Sequence, residues 1–194
     1  MPPTFVYVAF LLLVALPVAV GIRQLPDRLR DLRAGIRGVI YVPLLWLLLF
    51  PTAILAVTVA QYVPPLQWGW LGMNVIVVPI AEGSAGGGGG GGSGGVPLAY
   101  LAVGVPLAAL AFLLFNYYEE TWIYRESYPR VLGWAALHLI MGIPVWTIVP
   151  LFAVGCGFKA IYDRRGPDEA YAAHVGSNMG ILALLVVSVV VVGV

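Results

Sequence analysis

The long uncharged stretches of this chain decide its fold class before any motif is considered. Residues 5–22, 39–63, 97–118 and 170–194 contain no Asp, Glu, Lys or Arg and are apolar almost throughout. A hydrocarbon core about 30 Å thick takes about 20 helical residues to cross, so each run can span a bilayer. Charged residues make up 10% of the chain, against roughly a quarter in soluble domains. Inside lipid every backbone polar group must be satisfied within the protein, which makes such runs α-helices. The expected fold is therefore all-α, a polytopic transmembrane helix bundle with six membrane segments, or alternatively five.

Taken in order, residues 5–22 have no basic flank before them and no small-residue cleavage site after them, so they read as a first membrane helix rather than a signal peptide. Arg23, Arg28, Arg30, Arg33 and Arg37, mixed with Asp27 and Asp31, form the most basic stretch. The positive-inside bias makes this a cytoplasmic loop in contact with lipid headgroups, with the N-terminus outside. Residues 39–63 make a second span, ended by Pro64 and Pro65. Residues 66–81 open with Trp68 and Trp70, in the manner of an interfacial aromatic belt, and read as a short third span or a re-entrant segment.

The glycine-rich residues 83–95 read as a flexible linker with an end-to-end distance of about 20 Å; they lack the Gly-Lys-Ser/Thr ending of a phosphate loop. Residues 97–118 form the next span, 131–158 a long helix broken by Pro144 and Pro150, 159–165 a charged turn, and 170–194 the last span. Six spans put the arginine loop and the 159–165 turn on one side and leave Arg125 and Arg130 on the other. The organisation expected is N-terminal membrane helices over 1–82, the linker over 83–95, and a C-terminal group of helices over 96–194.

A net charge of +1 leaves no basic surface for nucleic acid once the juxtamembrane arginines are set aside. The single Cys156 has no partner for an internal disulfide and stands between two glycines, as a small packing residue does. The informative polar residues are instead the ionisable ones in apolar surroundings. A charge at membrane depth costs about 2.5 to 3.5 kcal/mol even on mild insertion scales, so such residues mark functional sites by default.

The chain has two histidines, His138 and His174, and an adjacent carboxylate pair, Glu119 and Glu120, at the end of an apolar run. His174 and Asn178 lie within about 40° of each other on a helix, with Tyr171 one turn earlier. Together they can hold a developing oxyanion or simply bridge two helices. His138 has Trp134 one turn before it and Gly142 one turn after. At a helix C-terminus the dipole and partial desolvation both disfavour carboxylate charge, which suits one of the glutamates to act as a base near neutrality. The alternative is a pair of interfacial charges neutralised by Arg125 and Arg130.

In this order Glu119-Glu120 with Arg125, Trp134-Ala-Ala-Leu-His138, and His174-Val-Gly-Ser-Asn178 resemble the three motifs of the CPBP family of intramembrane proteases, the CAAX-processing and bacteriocin-processing group. Those motifs are EExxxR, FxxxH and HxxxN. The resemblance covers residues 113–182. It implies that Glu119 activates water, that His138 assists it, and that His174 and Asn178 form an oxyanion hole, with no cofactor. Two features depart from the pattern. The first motif here reads EExxxxR, which sets Arg125 about 140° from Glu120 on a regular helix, and the interval from Glu119 to His138 is short.

Three functional readings follow. The first is an endopeptidase of the cell membrane that cleaves a membrane-associated protein or peptide. The second is a metal-dependent membrane hydrolase built on the same Glu/His cluster. The third is a non-catalytic protein of the same fold, an immunity factor or scaffold, which the altered arginine spacing favours.

Overall fold

The computed structural model describes residues 8–71, 98–124 and 127–188. Among them no strand occurs, and these residues form six main helical segments. These are α1 (Val8–Ala34), α2 (Ile36–Ala60), α3 (Leu98–Tyr118), α4 (Tyr128–Leu137), α5 (Val145–Arg165) and α6 (Pro167–Val187). Four of them, α1, α2, α5 and α6, are long and apolar enough to cross a membrane. On α2, Leu44, Leu47, Ile54 and Leu55 are each more than half exposed. An apolar row of that kind is a liability in water and matches acyl chains. This is the surface of a membrane protein.

Contacts at the helix ends fix the directions. The guanidinium of Arg28, late in α1, lies 3.4 Å from the centre of the Tyr117 ring at the end of α3. The Tyr118 hydroxyl donates to the Gln24 side chain. Between α1 and α2 the backbone is pressed against the start of α6: a Cβ on Gly35 would sit 1.8 Å from the Asp168 carbonyl oxygen, and one on Gly38 would sit 1.9 Å from that of Glu169. Near the end of α5, the Lys159 ammonium lies 5.3 Å from the ring of Tyr128 at the start of α4. All these ends form one basic face. At the opposite end the Val145 N–H donates to the Trp68 carbonyl (2.9 Å), and the Trp70 indole donates to the Leu139 carbonyl (2.9 Å). The six segments thus alternate in direction.

This order corrects the expected topology in several places. The arginine stretch is helix rather than loop: Pro26 stands in the first turn of Leu25–Ala34, and Asp27–Arg30 and Arg28–Asp31 pair at 3.0 Å one turn apart. Residues 131–158 do not form one helix. The chain passes from α4 through a tight 3₁₀ turn, His138–Met141, and reverses at Gly142, whose φ of 90° only glycine adopts at ease. Pro144 follows it, and a proline cannot continue the helical hydrogen bonding. The charged residues 159–165 are the last turns of α5, and the reversal into α6 falls on Gly166, at φ 93°.

α2 ends and α3 begins at the face opposite the basic one, and residues 68–71 lie at that face against the turn between α4 and α5. The end of α3 and the start of α4, with Arg130, consequently lie on the basic face, not across the membrane from it. Residues 72–97, which hold the 83–95 glycine stretch and most of 66–81, are outside the described residues.

Two apolar clusters hold the helices together, and each mixes residues from both halves of the chain. One joins Leu45 of α2 to Val131, Trp134, Val154, Phe158 and Ala173. Cys156 packs against it, partly buried. The other joins Val14 and Val18 of α1 to Ala108, Ala111 and Leu114 of α3 and Leu182 of α6.

Candidate active site

After Tyr118 the backbone of α3 widens into a π-helical turn, Glu119–Tyr124. Neighbouring helical residues point in different directions, and the two carboxylates separate accordingly. Glu119 is 23% exposed, whereas Glu120 is fully buried. Glu120 Oε1 lies 3.0 Å from Nδ1 of His174, and Glu119 Oε2 lies 3.5 Å from the same nitrogen. His174 is seven residues into α6, which sets this cluster about 10 Å inside the basic face at 1.5 Å per residue.

The two rings that hold the histidines come from α4 and α5. Phe158 stacks on His174, with centroids 4.0 Å apart and planes 23° from parallel. Trp134, buried, stands edge-on to both histidines, 4.5 Å from His138 and 5.8 Å from His174. His138 Nδ1 is 3.0 Å from the Trp134 carbonyl. A carbonyl only accepts, so in the neutral ring Nδ1 carries the proton and Nε2 keeps the lone pair.

Glu119, His138, His174 and Asn178 all line one cavity of about 430 Å³. These are four of the five residues singled out from sequence, drawn from the end of α3, the end of α4 and the first half of α6. The fifth, Glu120, lies behind the wall and holds His174. Despite the short interval from Glu119, His138 reaches the cavity, because α4 runs straight back along the bundle. Toward the opposite face the walls become apolar, with Leu13, Phe112 and Leu182 among them.

Tyr171 shares the helical face of His174 but not the cavity. It is fully buried, and its hydroxyl donates to the Leu113 carbonyl at 2.6 Å, tying α6 to α3. Two polar residues not anticipated from sequence do line the cavity. The Ser177 hydroxyl accepts from the Trp46 indole at 3.1 Å. Asn116 is buried, and its side-chain nitrogen has no hydrogen-bond partner among the described residues. Its position one turn before Glu119 on the same helix was the available signal.

Arg125 lies outside the described residues. Among the described residues, no three His, Cys, Asp or Glu side chains are grouped so as to hold a metal ion.

No protein-family model matches the chain, and neither the curated proteins nor the solved structures include a significant match to it.

Proposed function

We propose that the protein is a glutamic endopeptidase of the cell membrane, resembling the CPBP proteases, which hydrolyses a peptide bond of a membrane-associated protein or peptide. One observation carries this reading: Glu119, His138, His174 and Asn178, from three helical segments, meet on one cavity. Scattered polar residues serving only as helix glue have no reason to converge on a shared space.

Each residue then has a role. A water held between the Glu119 carboxylate and the His138 Nε2 lone pair gives its proton to Glu119 as its oxygen attacks the scissile carbonyl. The carbonyl oxygen becomes an oxyanion, held by the Asn178 amide and the His174 ring. With Nδ1 of His174 bonded to Glu120, Nε2 can donate only if the Glu120/His174 pair carries one proton more than carboxylate and neutral imidazole. Glu120 then donates to Nδ1, or the ring is an imidazolium. When the tetrahedral intermediate collapses, the C–N bond breaks and the leaving nitrogen takes the proton from Glu119.

The test is cleavage of membrane-tethered peptides by protein reconstituted in proteoliposomes in H₂¹⁸O, with the metal content measured in the same sample. The proposal expects one ¹⁸O in each new carboxylate and no stoichiometric metal. Activity lost to a chelator and restored by zinc would assign the site to a metal-dependent hydrolase. Absence of cleavage across a broad peptide set would favour the scaffold reading.

A further inference from the structure

The basic face carries a second site, separate from the cavity described above. Ile36, Arg37, Ile40 and Tyr41 from the start of α2 enclose, with Arg165 and Glu169 from the α5–α6 reversal, an open pocket of about 410 Å³. Its two walls are far apart in sequence and are held rigidly together, because Gly35 and Gly38 touch the backbone of Asp168 and Glu169 with no room for a side chain.

The pocket's lining is about half polar and half apolar. Arg28 and Arg30 are ion-paired within α1. Arg37 and Arg165 have no ion pair or side-chain hydrogen bond among the described residues, and both are exposed. Two arginines against the one carboxylate of Glu169 leave a single net positive charge in the lining. Beside them Ile36 and Ile40 are 57% and 77% exposed. They stand in the first turns of a helix long and apolar enough to cross the membrane, so they face the acyl region next to the interface.

We propose that this pocket binds the phosphate of an anionic phospholipid. Arg37 and Arg165 hold the phosphodiester, since planar guanidinium groups match phosphate oxygens, and Ile36 and Ile40 flank the first methylenes of the chains. One net positive charge matches the single negative charge of a phosphatidylglycerol-type headgroup. A zwitterionic choline headgroup would bring a further positive charge into an already positive pocket. A free phosphate has no acyl chains for Ile36 and Ile40 to flank, so it lacks the apolar part of the contact.

The experiment uses the full chain purified in neutral detergent, with lipid binding followed by native mass spectrometry and thermal unfolding. The probes are phosphatidylglycerol, phosphatidylcholine and inorganic phosphate. One phosphatidylglycerol per chain should bind and raise the unfolding temperature, with no such effect from the other two probes. A basic residue near an anionic surface contributes about fivefold in affinity, so R37Q/R165Q should weaken phosphatidylglycerol binding about 25-fold. R30Q should leave it unchanged. Glu169→Gln should tighten binding about fivefold, a gain that damaged folding cannot mimic. Equal binding by wild type and R37Q/R165Q, or weaker binding by Glu169→Gln, would overturn the site. Equal binding of phosphatidylcholine, or inorganic phosphate binding as well as the lipid, would overturn its assignment to an anionic phospholipid.

Discussion

Replacing Glu120 separates the hydrogen bond it makes from the charge it can carry. Its carboxylate is fully buried and lies 3.0 Å from Nδ1 of His174, and its second oxygen has no partner among the described residues. Glu120→Ala removes the shorter of the two carboxylate contacts at Nδ1 of His174 and opens a small void beside the ring. An unmade buried hydrogen bond costs about 1 to 3 kcal/mol, which corresponds to roughly 5- to 150-fold in turnover if all of it falls on the orientation of His174. Complete loss of His174 as an oxyanion donor sets the upper bound, about 10²- to 10³-fold.

Glu120→Gln keeps the size, and its amide can donate to Nδ1, so His174 can still offer Nε2–H to the oxyanion. Turnover should stay within about tenfold of wild type, and the unfolding temperature should not fall, because a neutral amide costs less to bury than a carboxylate. The assay is single-turnover cleavage in proteoliposomes, run beside thermal unfolding in detergent. A Gln variant as inactive as the Ala variant, with both folded, would refute the positioning role. So would an Ala variant with wild-type turnover.

Other outcomes follow from the same geometry. Asn178→Ala removes one oxyanion donor, and turnover should drop by about 10²- to 10³-fold with substrate affinity largely kept, as read from kcat and KM separately. Tyr171→Phe deletes the bond to the Leu113 carbonyl, a loss of about 1 kcal/mol, and should lower the unfolding temperature by about 2–4 °C without changing cleavage. Replacing residues 83–95 with a Gly/Ser linker of equal length should leave membrane insertion intact, as measured by protease protection of the inserted protein.

The helical class was legible from the uncharged runs, because bilayer thickness and backbone satisfaction leave almost no other solution. The polar lining of the candidate cavity was legible for a related reason: polar residues are so few among these apolar helices that Glu119, His138, His174 and Asn178 stood out singly. What could not be read was how α4 turns into α5. Gly142 reverses the chain among uncharged neighbours that do not distinguish a reversal from a kink, whereas the charged residues around Gly166 did mark that turn. As a result the fold-back between α4 and α5 was read as one broken helix. Helical periodicity gave the face of Tyr171 but not what stands opposite it, which is the Leu113 carbonyl. The π turn at Glu119–Tyr124 has no propensity signature that sequence reading could use.

The most direct measurement compares the cleavage rate of a membrane-tethered peptide by wild type, Glu119→Gln and the Glu119/Glu120 double Gln variant, at equal amounts of folded, reconstituted protein. Glutamine keeps the shape of the side chain and removes its basicity, so both variants should lose nearly all turnover while still inserting and unfolding at a temperature close to wild type. Equal cleavage by all three would contradict glutamic catalysis at this cavity.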